Sequence, residues 1–154
     1  IFIIVENSKE LEIIFNEFKN YKFYILGSGS NLLIRDNGFD GIILKLGKGF
    51  YSFNIFEDNL EVGASVLDIN LSNFALRNNI EGFEFFSGIP GSIGGAIKMN
   101  AGCFGSEVKD KIDKIEIYNF FEKKIIKKND INFSDRSSSI KNYEIVSNSV
   151  DFIA

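Results

Sequence analysis

Residues 82–105 read GFEFFSGIPGSIGGAIKMNAGCFG, a segment with Gly88, Gly91, Gly94, Gly95 and Gly102 between its end glycines, Gly82 and Gly105, and the only proline, Pro90. Glycine inside a packed element costs backbone entropy that alanine would not. Yet Phe83, Phe85, Phe86, Ile89, Ile93, Ile97 and Met99 are threaded among these glycines. So many large apolar side chains require the segment to be largely buried. Buried, glycine-rich backbone marks a place that a ligand or another backbone approaches closely. We read the stretch as a ligand cradle; the competing reading is a loop that merely turns several times.

The 154 residues suffice for one domain or two small lobes sharing a core. A composition of 45% hydrophobic and 25% charged residues is that of an ordinary globular protein. The net charge of −4 argues against a nucleic-acid surface, which needs a basic field. The basic cluster Lys123, Lys124, Lys127 and Lys128 around Ile125 and Ile126 reads as the solvated flank of a strand. A single cysteine, Cys103, excludes an internal disulfide and a cysteine zinc site, and fits a reducing, cytoplasmic setting. The absence of histidine removes the commonest general base and metal ligand, so no metal is expected. Ser-His-Asp and Cys-His mechanisms are excluded with it. No apolar run reaches the roughly 18 residues of a membrane span. The opening IFIIVENSKE has no signal-peptide features, and both ends fall in strand-like runs, as in a piece of a longer protein.

Along the chain, Ile1 to Val5 reads as a strand, and Asn7 with Glu10 as a capping box. Leu11, Ile14, Phe15 and Phe18 then carry a helix over Ser8 to Asn20. With Lys22 to Leu26 as the next strand, this is a βαβ unit with parallel strands. Asn31 to Arg35 and Ile42 to Leu46 are further strand candidates. Tyr51, Phe53 and Ile55, a turn at Glu57-Asp58-Asn59, then Leu60 and Val62 predict a hairpin. Ser65 with Asp68 caps a helix running to about Asn78. Ile112 to Phe120 is a strand returning through a turn at Phe121-Glu122, and Tyr143 to Val146 begins the last strand. The pattern shifts from βαβ to antiparallel hairpins near Gly47-Lys48-Gly49. The fold class is therefore α+β with two lobes, residues 1–48 and 49–154.

Two glycine turns carry the chemistry. Gly27-Ser28-Gly29-Ser30-Asn31 follows a buried strand but lacks the third glycine and the helix of a dinucleotide fingerprint. It is either an anion-binding nest of backbone N–H groups and the Ser30 hydroxyl, or a tight glycine hairpin. Ser87 to Ala96 is not a P-loop, since no Gly-Lys-Ser/Thr follows. Pro90 between Gly88 and Gly91 fits the first turn of a helix, whose free N–H groups suit a phosphate. Two such turns in different lobes suit a diphosphate bridging them. Asn100 to Gly105 adds an amide and small residues that a flat ring can approach face-on. Cys103 and Met99 read as core, and Glu84 and Glu107 as solvated carboxylates.

The segments LGSGSNLLIRD (26–36) and EGFEFFSGIPGSIGGAIKMNAGCFGSEVKD (81–110) resemble the flavin-binding domain of the UDP-N-acetylenolpyruvoylglucosamine reductase (MurB) family. The first segment is shared, in looser form, with a wider superfamily of FAD oxidases and dehydrogenases. The resemblance implies FAD held between two lobes, its diphosphate over Gly27, Ser28, Gly29, Ser30 and Asn31 and over Gly88, Ile89, Pro90, Gly91 and Ser92. It places Gly94 and Gly95 in the same cradle and Asn100, Ala101 and Gly102 near the isoalloxazine ring. It implies reduction of a UDP-sugar enolpyruvyl ether, with NADPH supplying the hydride through flavin N5, in peptidoglycan precursor synthesis.

Arg136, in Phe133-Ser134-Asp135-Arg136-Ser137-Ser138, matches the family's catalytic arginine, with Asp135 where a tyrosine is usual. A fixed fork of donors suits enolate charge developing on the substrate carboxylate. An adjacent Asp135 is expected to compete for it. The family's serine proton donor and a late glutamate belong to a C-terminal substrate domain outside this sequence, so the chain alone is expected to bind flavin with little or no turnover. The alternatives are another FAD oxidoreductase of the superfamily and a non-catalytic nucleotide-binding remnant.

Overall fold

The computed structural model describes residues 1–57, 59–119, 122–140 and 145–153, the last stretch as backbone alone through residue 149. Strand β1 (Phe2–Val5) runs into helix α1 (Ser8–Glu17), β2 (Phe23–Leu26) and β3 (Ile42–Leu46). Asn7 caps α1 through its side-chain oxygen, which accepts the Glu10 N–H at 3.1 Å. The Glu10 carboxylate answers one residue earlier than a capping box requires, accepting the Glu6 N–H at 2.8 Å and the Asn7 amide at 2.9 Å. Asn7→Ala removes this cap, and urea unfolding is expected to show a loss of about 1 kcal/mol. The helix stops at Glu17 rather than Asn20, where Phe18 donates to the Ile14 carbonyl and its backbone leaves helical geometry.

The three strands form one parallel sheet in the order β1-β3-β2. β1 and β2 are parallel, as the βαβ pattern predicts, but β3 lies between them. Residues 31–35 form no strand, contrary to expectation. Leu33 is 94% exposed and Ile34 58%. Strand propensity reflects fit to a half-buried pleated surface, and this apolar triplet has no neighbouring strand to pack against.

The second sheet is antiparallel. Strands β4 (Phe53–Phe56) and β5 (Asn59–Val62) make the predicted hairpin, whose turn includes Asp58, outside the described residues. Strands β8 (Ile112–Tyr118) and β9 (Lys123–Lys127) make another. Phe120 and Phe121 of its turn lie outside the described residues, while Glu122 donates its N–H to the Asn119 side chain. The lysines of β9 are solvated, and Lys123 pairs with Glu116 across the hairpin at 2.7 Å. Between the hairpins runs β12 (Ile145–Ile153), giving the order β4-β5-β12-β8-β9. Tyr143 and Glu144, read as the start of this strand, lie outside the described residues.

Helix α2 (Asp68–Arg77), a 3-10 helix at Glu84–Gly88 and helix α3 (Ile93–Lys98) follow β5. Ser65 does not cap α2. Leu67 occupies the cap position, and the Ser65 hydroxyl donates to the Gly47 carbonyl at 3.0 Å. Phe83 and Phe86 lie buried with Phe152 of β12, each ring meeting it edge-on at 5.6 and 5.9 Å. This is the larger core, joined by Ile93, Ile97, Ile112 and Ile115. A smaller core contains Val5, Leu11, Phe15, Ile42 and Leu44, and takes Phe50 and Tyr118 from beyond residue 48. The Tyr118 hydroxyl donates to the Glu12 carboxylate of α1. That bond, with burial, pushes the phenol up to about 12, and it fastens α1 to β8.

Candidate functional site

The loop after β2 and the loop before α3 meet across a groove of about 920 Å³. Gly27 to Asn31 line one wall and Gly88 to Ser92 the other, with Gly95, Asn100, Ala101, Gly102 and Arg136. Gly94 stands apart, lining an adjoining cavity with Gly27, Ser92 and Gly95. The loops approach so closely that a Cβ on Gly27 would lie 2.8 Å from the Ser92 hydroxyl. Ser28 and Ser30 share a hydrogen bond of 3.2 Å and face Ser87 to Gly91 across a smaller recess.

Helix α3 begins at Ile93, not at Pro90, and has six residues. The reason is a short antiparallel pairing of Leu67 with Ser92. It directs the Ile93 N–H to the Val66 carbonyl and the Gly94 N–H to the Ala64 carbonyl, both at 2.9 Å. Those first helical donors are therefore not free for a phosphate, as the sequence reading assumed.

Asn100 is 3% exposed and holds a left-handed backbone at φ 42°. Its amide nitrogen donates to Glu107 at 3.1 Å and to the Ser134 carbonyl at 3.2 Å, and its oxygen accepts the Lys109 N–H at 3.2 Å. The side chain is thus a tie between three segments, where the sequence suggested a group offered to a ring. Glu107 sits in strand β7 (Ser106–Glu107), which pairs with β6 (Gly102–Cys103) and leads into helix α4 (Val108–Lys111). Its carboxylate forms an ion pair with Lys109, and that bond with the Asn100 amide holds it below the usual carboxylate range.

Arg136 forms the turn between strands β10 (Phe133–Ser134) and β11 (Ser137–Ser138), at φ 51°. Two bonds pin this hairpin to the end of α3: Asn100 to Ser134, and the Ser138 hydroxyl to the Lys98 carbonyl at 2.9 Å. Among the described residues no ion pair joins Arg136 to Asp135, although both line the groove.

Sequence reading missed Asp68, which lines the groove at the start of α2. It is 0% exposed, and among the described residues neither carboxylate oxygen has a hydrogen-bond partner. Burial alone pushes the carboxyl up to about 7. The signal was present: Asp68, Leu71 and Ala75 fall at i, i+3 and i+7, the buried stripe of α2. Among the described residues no His, Cys, Asp and Glu group could hold a metal, and no helix is long and apolar enough to cross a membrane.

The family described as "FAD binding domain" matches residues 1–119. The chain is 43% identical over 131 residues to the UDP-N-acetylenolpyruvoylglucosamine reductase of Orientia tsutsugamushi (strain Ikeda), covering 82% of this chain and 43% of that protein. It is 47% identical over 113 residues to the reductase of the same name from Pelagibacter ubique (strain HTCC1062), covering 72% of this chain and 37% of that protein. It therefore spans less than half the length of these curated relatives. The crystal structure of UDP-N-acetylenolpyruvylglucosamine reductase (MurB) from Thermus caldophilus superposes with a TM-score of 0.87 at 29% identity, over 98% of this chain and 54% of that one. Quinoline 2-oxidoreductase from Pseudomonas putida 86, at 12% identity and a TM-score of 0.65, shares the fold alone. With the match spanning residues 1–119, well over half of the chain, the chain belongs to the FAD-binding domain family.

Proposed function

We propose that this chain is the FAD-binding part of a reductase that converts a UDP-sugar enolpyruvyl ether, UDP-N-acetylglucosamine enolpyruvate, to UDP-N-acetylmuramate with NADPH as hydride donor. The observation that carries the reading is the convergence of both glycine loops and the Arg136 hairpin on one groove. The groove fits the dinucleotide in two respects: side chains are missing where the loops touch, and a buried carboxyl lacks a partner. Gly27 to Asn31 and Gly88 to Ser92 hold the diphosphate between lobes 1–48 and 49–154, with Gly94 and Gly95 beside them. Ala101 and Gly102 leave room for a flat ring, and Asn100 fixes the turn that carries them. Bound flavin supplies the two-electron chemistry.

Arg136 then acts on substrate. Its guanidinium, held at the groove by the pinned hairpin, stabilises negative charge developing on the enolpyruvyl carboxylate. The cytoplasm, where such sugar nucleotides are handled, is the proposed location. The chain mixed with FAD is expected to stay yellow through desalting; a colourless protein would overturn the reading. In the protein carrying the remaining half of its relatives' length, Arg136→Ala is expected to lower turnover about 10²- to 10³-fold with flavin absorbance unchanged. Unaltered turnover would remove Arg136 from catalysis.

A further inference from the structure

Asp68 enters the reading above only as a buried carboxyl without a partner, and it is the most unusual group on the groove wall. A buried carboxyl left without a hydrogen-bond partner is costly, so such groups call for a partner in the working state. Its surroundings say where that partner sits. A Cβ on Gly91 would lie 2.4 Å from the Asp68 carboxylate, so only a glycine there lets the carboxyl pack directly against the Gly88–Ser92 loop. Across the recess from that loop stand Ser28 and Ser30. The Asp68 N–H donates to the Gly91 carbonyl at 3.1 Å, which fixes the carboxyl against this loop.

We propose that Asp68 is a ligand-positioning acid whose neutral carboxyl donates a hydrogen bond to an anionic oxygen of the diphosphate lying over Gly91. The proposal rests on FAD occupying this groove. Among the described residues no ion pair reaches Asp68, and desolvation is the sole cause of its raised titration range. The 3-10 helix packed on α2 carries Glu84, exposed and bonded to the Gly82 N–H. The two glycine loops contribute none. The rest of the groove holds Tyr24, Lys98, Cys103, Glu107, Lys109, Asp110, Asp135 and Arg136. An ionised Asp68 would repel the diphosphate and lose its only donor. A proton at this position therefore belongs to the bound state.

The test is FAD affinity between pH 6 and 8.5, read by quenching of flavin fluorescence, a window in which the diphosphate stays anionic. The dissociation constant of the wild type is expected to rise about tenfold across it. Asp68→Asn keeps the shape and a donor but does not titrate, and is expected to hold a flat profile near the pH 6 value. Glu84→Gln, which removes the exposed carboxylate of the neighbouring 3-10 helix outside the groove, should keep the wild-type slope. Riboflavin, which lacks phosphates, should bind without the slope; a slope with riboflavin would assign the bond to a ribityl hydroxyl and overturn the diphosphate assignment. A flat wild-type profile, or an Asn variant that follows the wild-type slope, overturns the proposal while leaving FAD binding intact. Failure of the wild type to bind FAD at any pH overturns the functional reading with it.

Discussion

Asp68→Asn is expected to make the unliganded protein more stable, by a margin that grows to about 4 kcal/mol between pH 4 and pH 8. Burial moves this carboxyl from 3.8 to about 7, and each factor of ten in proton affinity is about 1.4 kcal/mol. The sign follows from the proton count. Between these two values the folded chain holds the proton and the unfolded chain has lost it, so wild-type stability falls as pH rises through the range. Above about 7 both states are ionised and the difference stays constant. Asparagine removes the titration. Urea unfolding of both proteins at pH 4 and pH 8 measures it; a difference independent of pH would show that the carboxyl is not held protonated.

Phe86→Ala is expected to cost about 4 kcal/mol. Phe86 is fully buried in the 3-10 helix directly before the cradle loop, with ring centroids 4.2 Å from Phe85 and 6.2 Å from Phe83. Alanine leaves a cavity that three other phenylalanines line but cannot fill, because Phe83 and Phe152 are themselves held edge to face. The helix ends at Gly88, so the damage reaches the groove wall as well as the core. Denaturation at pH 6 measures the loss. A cost below about 1 kcal/mol would mean that the aromatic cluster repacks, against the fixed geometry seen here.

Local chemistry made much of this fold legible. Asn7 and Glu10 start α1, the alternation through residues 53–62 makes the β4–β5 hairpin, and glycines threaded among phenylalanines mark the groove. Glycine is informative because it reports a close approach wherever it is kept at a packed site. Long-range arrangement was not legible. Nothing near Ile42 to Leu46 says that β3 inserts between β1 and β2, and Leu32 to Ile34 look like a strand until the sheet is seen to leave them out. The start of α3 was misplaced for a similar reason: its first donors are taken by residues 64 and 66, nearly thirty positions away in sequence. Asp68 was read only as a capping partner of Ser65, although its spacing with Leu71 already pointed inward.

The central position of β12 has a consequence for synthesis. Ribosomes deliver β4, β5, β8 and β9 first, and each hairpin pairs within itself. A lone two-stranded hairpin is marginal in water, and here β5 and β8 each keep an unpaired edge facing the other across an empty slot. Only when Ile145–Ile153 emerges does one strand zip both edges at once. A ribosome that pauses before residue 145 therefore displays two adhesive edges, the state in which a nascent chain most needs a chaperone.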